Sequence, residues 1–222
     1  MKGHQGRVWT ATFSPQGQIL ASGGNDQTIR IWHRTTGRCL KTLQERSGQI
    51  RRVEFSPDGS LLATNNGDDT VKIWDISQIY SLLPSRSNPS SPAPFSIPRL
   101  RTLKGHTGRI YGIAFLSDSN RLITGSEDQT IRLWEISTGN CLQIFEGHSR
   151  YVFSVAASPV AFNHQETNNQ KTGNQELIAS GSDDQTIRLW SVGTGECLKA
   201  VSYTHLRAHE TKANLVCRLL LE

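Results

Sequence analysis

Apolar and polar residues alternate along this chain in short runs, which is the pattern of half-buried β-strands. In Thr28–Trp32, Ile29 and Ile31 fall on one face, with Thr28, Arg30 and Trp32 on the other. Ahead of it, Val8, Ala11 and Phe13 mark a first strand that ends at the turn Ser14-Pro15-Gln16-Gly17. Ile19–Ser22 reads as a second strand, closed by a turn from Gly23 to Asp26. Cys39–Leu43, after a Thr-Gly turn, reads as a fourth. The chain is predicted to be all-β.

The pattern repeats. ASGGNDQTIRIW ends at Trp32, ATNNGDDTVKIW at Trp74, ITGSEDQTIRLW at Trp134 and ASGSDDQTIRLW at Trp190. Gly-His pairs precede three of these segments, at Gly3-His4, Gly105-His106 and Gly147-His148. Turns of the form Phe-Ser-Pro-x-Gly recur at Phe13–Gly17 and Phe55–Gly59. Four strands per roughly forty residues, repeated in tandem, mark the blades of a β-propeller.

On these motifs the chain resembles the WD-repeat family from residue 3 to residue 201, although the dipeptide at the end of the third strand varies (Trp32-His33, Trp74-Asp75, Trp134-Glu135, Trp190-Ser191). The resemblance implies four blades of four antiparallel strands within residues 1–201, at 3–43, 44–103, 104–145 and 146–201. It also implies an incomplete ring, part of a longer propeller, since rings of that family usually close with about seven blades and propellers in general use about four to eight.

Two insertions interrupt the blades, over 78–98 and 160–175. The first holds Pro84, Pro89, Pro92, Pro94 and Pro98 among serines, and both lack an apolar pattern for packing, so mobile loops are expected. Pro89-Ser90-Ser91-Pro92 fits a loose PxxP form that chance often produces. The segment 202–222 leaves the repeat and resembles appended, non-native sequence. Its His205, His209 and Glu210 lack the order and third ligand of a metal site. Cys39, Cys141 and Cys197 share the pattern Gly-x-Cys-Leu in three repeats and are expected to be small buried hydrophobes; Cys217 lies in the tail. No metal or cofactor is expected.

The polar residues recur in matched sets: His4, Ser22, Asp26 and Trp32; His106, Thr124, Asp128 and Trp134; His148, Ser180, Asp184 and Trp190. In every repeat the Asp stands six residues before the Trp and four after the Ser or Thr. The resemblance implies a hydrogen-bond chain from the Trp ring through Ser/Thr and His to Asp. Blade two keeps Thr64, Asp68 and Trp74 but has Glu45-Arg46 in place of Gly-His, so it is expected to be the least rigid. Three copies of a Ser-His-Asp triad without a nucleophile elbow argue for scaffolding over hydrolysis. No enzyme activity is expected.

The resemblance also implies partner binding on the top face, at three positions per blade. These are Arg7, Trp9 and Asn25; Gln49, Arg51 and Gly67; Arg109, Tyr111 and Glu127; Tyr151, Phe153 and Asp183. Trp9, Tyr111 and Phe153 each follow a core aliphatic residue (Val8, Ile110, Val152) and should point away from it. Aromatic and Arg side chains dominate interface hot spots, so proteins or peptides are the expected partners.

Composition narrows this further. With 36% hydrophobic and 19% charged residues the chain is ordinary for a soluble globular protein. The net charge of +5 forms no basic stripe, which argues against nucleic acid. No stretch is long enough to cross a membrane and the first residues form no signal peptide, so a cytoplasmic, reducing setting is expected. Self-association through bare blade faces is expected of an open arc. A fragment of a larger signalling or assembly protein, without independent function, is the alternative reading.

Overall fold

The computed structural model describes residues 2–45, 48–83, 96–159 and 176–202. The chain divides into two compact units, Met1–Gly105 and His106–Glu222. Each holds two four-stranded antiparallel sheets whose strands follow in sequence order. The first unit contains β1 (Val8–Phe13), β2 (Ile19–Gly24), β3 (Thr28–His33) and β4 (Cys39–Gln44), then β5 (Arg52–Phe55), β6 (Leu61–Asn65), β7 (Thr70–Asp75) and β8 (Arg99–Lys104). The second contains β9 (Ile110–Phe115), β10 (Arg121–Ser126), β11 (Ile131–Glu135) and β12 (Cys141–Phe145), then β13 (Val152–Ala157), β14 (Leu177–Ser182), β15 (Thr186–Ser191) and β16 (Cys197–Ser202). These are propeller blades. No helix among the described residues is long and apolar enough to cross a membrane.

Alternation in the third strand of each sheet gives it two different faces, and both are used. In the first unit Ile29, Ile31 and Ala21 of the first sheet form one core with Ile50, Val53, Phe55 and Trp74 of the second. In the second unit Ile131, Leu133 and Phe145 of one sheet meet Val152, Val155 and Trp190 of the next. Within each unit, therefore, the Trp-bearing face of one sheet lies on the aliphatic face of the sheet before it. Each fully buried side chain of this kind contributes about 1.5–3 kcal/mol.

Three expectations are corrected. Val8 is 48% exposed, and so is not a core residue, whereas Ile110 and Val152 are buried. The equivalent Ile50 of the second sheet is covered by the first sheet, and nothing in the first unit covers Val8 in that way. The cysteines are not buried either: Cys39 and Cys141 are half-buried and Cys197 is exposed, because they begin the outermost strands. The segment 78–98 is not wholly loop. Ser77–Leu82 forms a 3-10 helix that buries Ile79, and Ile76 and Ile97 are buried beside it. Ile76 and Ile79 are three residues apart, the spacing that stacks side chains on a 3-10 helix. The hydroxyl of Tyr80 lies 3.0 Å from Gln16 Oε1 and 3.1 Å from the Gly59 carbonyl, so the helix joins a turn of each sheet. The Pro-rich stretch 84–95, the insertion 160–175, the tail beyond Ser202 and Arg46 lie outside the described residues.

Candidate functional site

Two sets of residues need to be located: the repeated polar set inside each blade and the three recurring positions at the blade's rim. In the polar sets Trp32 Nε1 donates to Ser22 Oγ at 2.8 Å, Trp134 to Thr124 Oγ1 at 2.9 Å, and Trp190 to Ser180 Oγ at 2.8 Å. Each hydroxyl lies 2.7 Å from Nε2 of the paired His4, His106 or His148. Nδ1 of that histidine lies 2.9 Å from Asp26 Oδ2, 2.7 Å from Asp128 Oδ2 and 2.7 Å from Asp184 Oδ2.

Donor chemistry orients the two ends of each chain. An indole N–H only donates and a carboxylate only accepts. The indole therefore donates to the hydroxyl and Nδ1–H to the carboxylate; at His148, which burial pushes toward its neutral form, the hydroxyl then donates to Nε2. The Ser and Thr hydroxyls are almost wholly buried, at 4% for Ser22 and 0% for Thr124 and Ser180.

The alignment of repeats missed part of each set. Thr28, Thr130 and Thr186 also donate, through both Oγ1 and the backbone N–H, to the turn aspartate two residues earlier. The backbone N–H after each histidine (Gln5, Thr107, Ser149) donates to the same carboxylate. The recurring Asp-x-Thr spacing was the available signal. Between them stand Gln27, Gln129 and Gln185 with φ of 61°, 71° and 65°, a left-handed conformation that folds the carboxylate back on its own strand.

These contacts set the titration of the carboxylates. Burial alone would raise Asp26, but hydrogen bonds from Gln5, Thr28 and His4 bring it down to about 2. Asp128 and Asp184 are likewise opposed by burial yet held well below the ordinary carboxylate range by His106 with Thr130, and by Thr186 with His148. For His148 burial dominates over the attraction of Asp184 and lowers its pKa below 6.5.

In the second sheet Trp74 Nε1 donates to Thr64 Oγ1 at 3.1 Å, and Asp68 accepts from Thr70, but no histidine joins them among the described residues. Glu45 is buried there instead, with Lys72 Nζ 3.1 Å away.

The rim positions are drawn together by the backbone. Asn25 N–H donates to the Arg7 carbonyl at 2.8 Å, Glu127 to Arg109 at 2.8 Å, and Asp183 to Tyr151 at 2.9 Å. A β-bulge then presents the aromatic. Val8 pairs with Gly24 and Thr10 with Gly23, leaving Trp9 as the extra residue. Tyr111 and Phe153 occupy the same irregularity between Ile110 and Gly112, and between Val152 and Ser154. Simple strand alternation is therefore not what turns these rings outward; the bulge re-aims them.

In the first unit the guanidinium groups of Arg7 and Arg51 lie 5.1 and 4.3 Å from the centre of the Trp9 ring, and Trp9 Nε1 donates to Asn25 Oδ1. Gln49 stands beside this stack in sequence, its Oε1 buried without a hydrogen-bond partner among the described residues. Gly67, with φ of 70°, leaves room for the Arg51 side chain. In the second unit Tyr111, Tyr151 and Phe153 form a three-ring cluster with centroids 5.0 to 6.5 Å apart. Tyr151 is 41% and Phe153 37% exposed. Glu127 Oε2 accepts from the Arg109 N–H at 3.4 Å, and Asp183 lies 3.5 Å from Arg150. Among the described residues no three His, Cys, Asp or Glu side chains are grouped to hold a metal.

Comparison with known proteins places this geometry. The family described as "WD domain, G-beta repeat" matches residues 1–33, 37–75, 98–135 and 139–191. The chain is 30% identical over 203 residues to Protein tipD of Dictyostelium discoideum, covering 91% of this chain and 28% of that protein. It is 33% identical over 228 residues to nuclear distribution protein nudF 1 of Talaromyces marneffei (92% and 43%). It is 26% identical over 218 residues to the guanine nucleotide-binding protein subunit beta of Zea mays (97% and 51%). The chain thus spans about half or less of the length of these relatives.

Thr124→Val keeps the volume and removes the central hydroxyl, stranding the Trp134 N–H and His106 Nε2. Loss of about 2–4 kcal/mol of unfolding free energy is expected in urea denaturation, at one to two unsatisfied groups. The pH dependence has a defined sign. A carboxylate with a depressed folded pKa stabilises fully above its ordinary value of 3.8, and for Asp26 that stability is lost as pH falls from there to about 2. His148, held neutral, adds a decline that begins as pH falls below 6.5. Glu54, raised by burial, acts in the opposite sense above 4.5, but it is one group against three aspartates. Unfolding free energy should therefore fall on acidification, most steeply below pH 3.8; a flat profile there would contradict the network.

Proposed function

We propose a function from one premise: the chain belongs to the WD-repeat β-propeller family. It is a protein-interaction scaffold that holds partner proteins or peptides at the rim positions of its blades. The observation that carries this reading is the placement of Trp9, Tyr151 and Phe153, large aromatic rings 37–41% exposed and braced by their surroundings. Exposed aromatic rings grouped in this way, two of them on bulges, mark a surface that another molecule covers. The Arg7–Trp9–Arg51 stack suits an acidic or aromatic peptide segment, and the Tyr111–Tyr151–Phe153 cluster suits an apolar anchor. The names of the relatives support the reading, since one is a subunit of an assembly. The buried hydroxyls of the Ser-His-Asp sets support scaffolding over catalysis.

A second, compatible reading rests on a specific asymmetry. Phe13 and Val8 are 57% and 48% exposed, while the equivalent Phe55 and Ile50 of the next sheet are 6% and 0%. In the last sheet Ile187 and Leu189 are only half covered, while the equivalent Ile29 and Ile31 are fully buried. The aliphatic face of one copy matches the bare β1 face of another, and self-association follows.

Immobilised chain should retain partner proteins from a cell extract, identified by mass spectrometry. Trp9→Ala and Tyr111→Ala/Phe153→Ala should lose that set while keeping the wild-type melting temperature. Retention of the same set by both variants would remove the rim from the proposal. Light scattering should give the wild type a mass above 24.7 kDa that falls toward the monomer in Phe13→Ser. A wild type that is already monomeric would end the self-association reading.

A further inference from the structure

One face of the second sheet departs from the repeat in several places at once. Across β7 and β8, Thr70 pairs with Lys104, Lys72 with Thr102 and Trp74 with Arg99. The same pairs in the first sheet are Thr28–Gln44, Arg30–Thr42 and Trp32–Cys39, and in the last sheet Thr186–Ser202, Arg188–Ala200 and Trp190–Cys197. Thus Arg99 and Lys104 of β8 stand where the first and last sheets carry Cys, Gln or Ser; the third sheet pairs Trp134 with Cys141 and has Glu146 at the place of Lys104.

A compensating exchange lies beneath them. Glu45 occupies the place of Gly3 and Gly147 in the repeat. A Cβ at those glycines would come within 2.6 Å of Arg30 Nη1 and 2.9 Å of Arg188 Nη1, so glycine there makes room for a guanidinium. In the second sheet the shorter Lys72 frees that room and the Glu45 carboxylate enters it. Lys72 Nζ lies 3.1 Å from Glu45 Oε2 and 3.8 Å from Asp68 Oδ2, with the Lys72 and Glu45 side chains 7% and 5% exposed. Asn66 Nδ2 also donates to Glu45 Oε2 at 3.1 Å.

Above this floor is a cavity of about 710 Å³, within the first unit, lined by Gln44, Thr70, Trp74, Arg99, Thr102 and Lys104 over Glu45, Asp68 and Lys72. That volume is typical of small-ligand sites. The two carboxylates are engaged by Lys72, while Arg99 and Lys104 are not comparably engaged. Arg99, half exposed, approaches Glu45 Oε1 only to 3.9 Å. The side chains of Lys104 and Thr102 make no ion pair or hydrogen bond among the described residues. A guanidinium, an ammonium and a hydroxyl therefore stand on one strand, facing one cavity, with donors to spare.

We propose that this cavity binds a phosphate monoester. At neutral pH such a group carries nearly two negative charges and three acceptor oxygens, matching two cations and a hydroxyl; a carboxylate carries one charge and two oxygens. The buried carboxylates below favour a ligand whose remainder offers hydroxyl or N–H donors. A sugar phosphate and a phosphorylated serine both fit that description.

The test is calorimetric titration of the full chain with inorganic phosphate at constant ionic strength in chloride. Saturable one-site binding is expected, weakened about tenfold or more in Arg99→Ser/Lys104→Gln, which brings in the uncharged residue types of the first and last sheets. Lys2→Gln/Lys199→Gln, which removes the same charge from other elements, should bind as the wild type does, and acetate should not bind. Circular dichroism should show both variants folded. Parallel titrations with glucose 6-phosphate and capped phosphoserine identify the source, the tighter binder being the class the site serves. Heats that do not saturate, or equal affinity in wild type and Arg99→Ser/Lys104→Gln, would overturn the proposal.

Discussion

An indole N–H buried between two β-sheets must find an acceptor, or it costs about 1–3 kcal/mol. Much else in this protein follows from that constraint. The acceptor is a serine or threonine on the neighbouring strand, at residues 22, 64, 124 and 180, ten residues before the tryptophan and directly bonded to its ring nitrogen. That hydroxyl has further hydrogen-bonding capacity, and in three sheets the Nε2 of a histidine from the preceding turn lies 2.7 Å from it. The histidine needs a carboxylate, and the turn between the second and third strands of each sheet supplies one. The chain thereby ties the turn before the first strand to the turn between the second and third. Where those turns meet, the rim positions are held as well.

The rim and the polar chain are in this sense one construction. The residue before the turn aspartate donates its backbone N–H to the residue two before the bulged aromatic. Ordering the aspartate therefore also orders the strand that carries Trp9 or Tyr111. On the proposed function, stability and recognition would rest on neighbouring residues of one turn.

Much of this was legible in the residues, because repetition turns a chemical need into a spacing. Four tryptophans at the ends of alternating runs, with Asp six residues earlier, specify strand, turn and register together. What was not legible depended on neighbours or on local irregularity. Val8 has the same character as Ile50, and only the presence or absence of a covering sheet separates 48% from 0% exposure. A bulge at Trp9 leaves no mark in a pattern of alternation, although it decides where the ring points. Ile79 lies in a serine- and proline-rich stretch whose composition outweighed the one spacing, Ile76 to Ile79, that seats it. The threonines of Asp-x-Thr were visible in every repeat, but their contact with the aspartate depends on a left-handed glutamine at 27, 129 and 185, or on a different turn at Asp68-Asp69.

The second sheet shows what the constraint permits once it is relaxed. Without a histidine among the described residues, Trp74 is still satisfied by Thr64, so the essential bond survives. What changes lies outward of it: Glu45 for glycine, Lys72 for arginine, Arg99 for cysteine, and Lys104 for the Gln44, Glu146 and Ser202 of the other sheets. A buried ion pair is a poor way to gain stability, since desolvation consumes most of the attraction. Replacing glycine and a lone guanidinium with the buried pair Glu45 and Lys72 is therefore hard to explain as a stabilising change. It is easier to understand as the floor of a charged cavity, where Lys72 holds two carboxylates in place and leaves the cations of β8 facing outward. Invariance in the repeat marks what the fold requires, and the face on which several departures coincide is where this blade differs in chemistry from its neighbours.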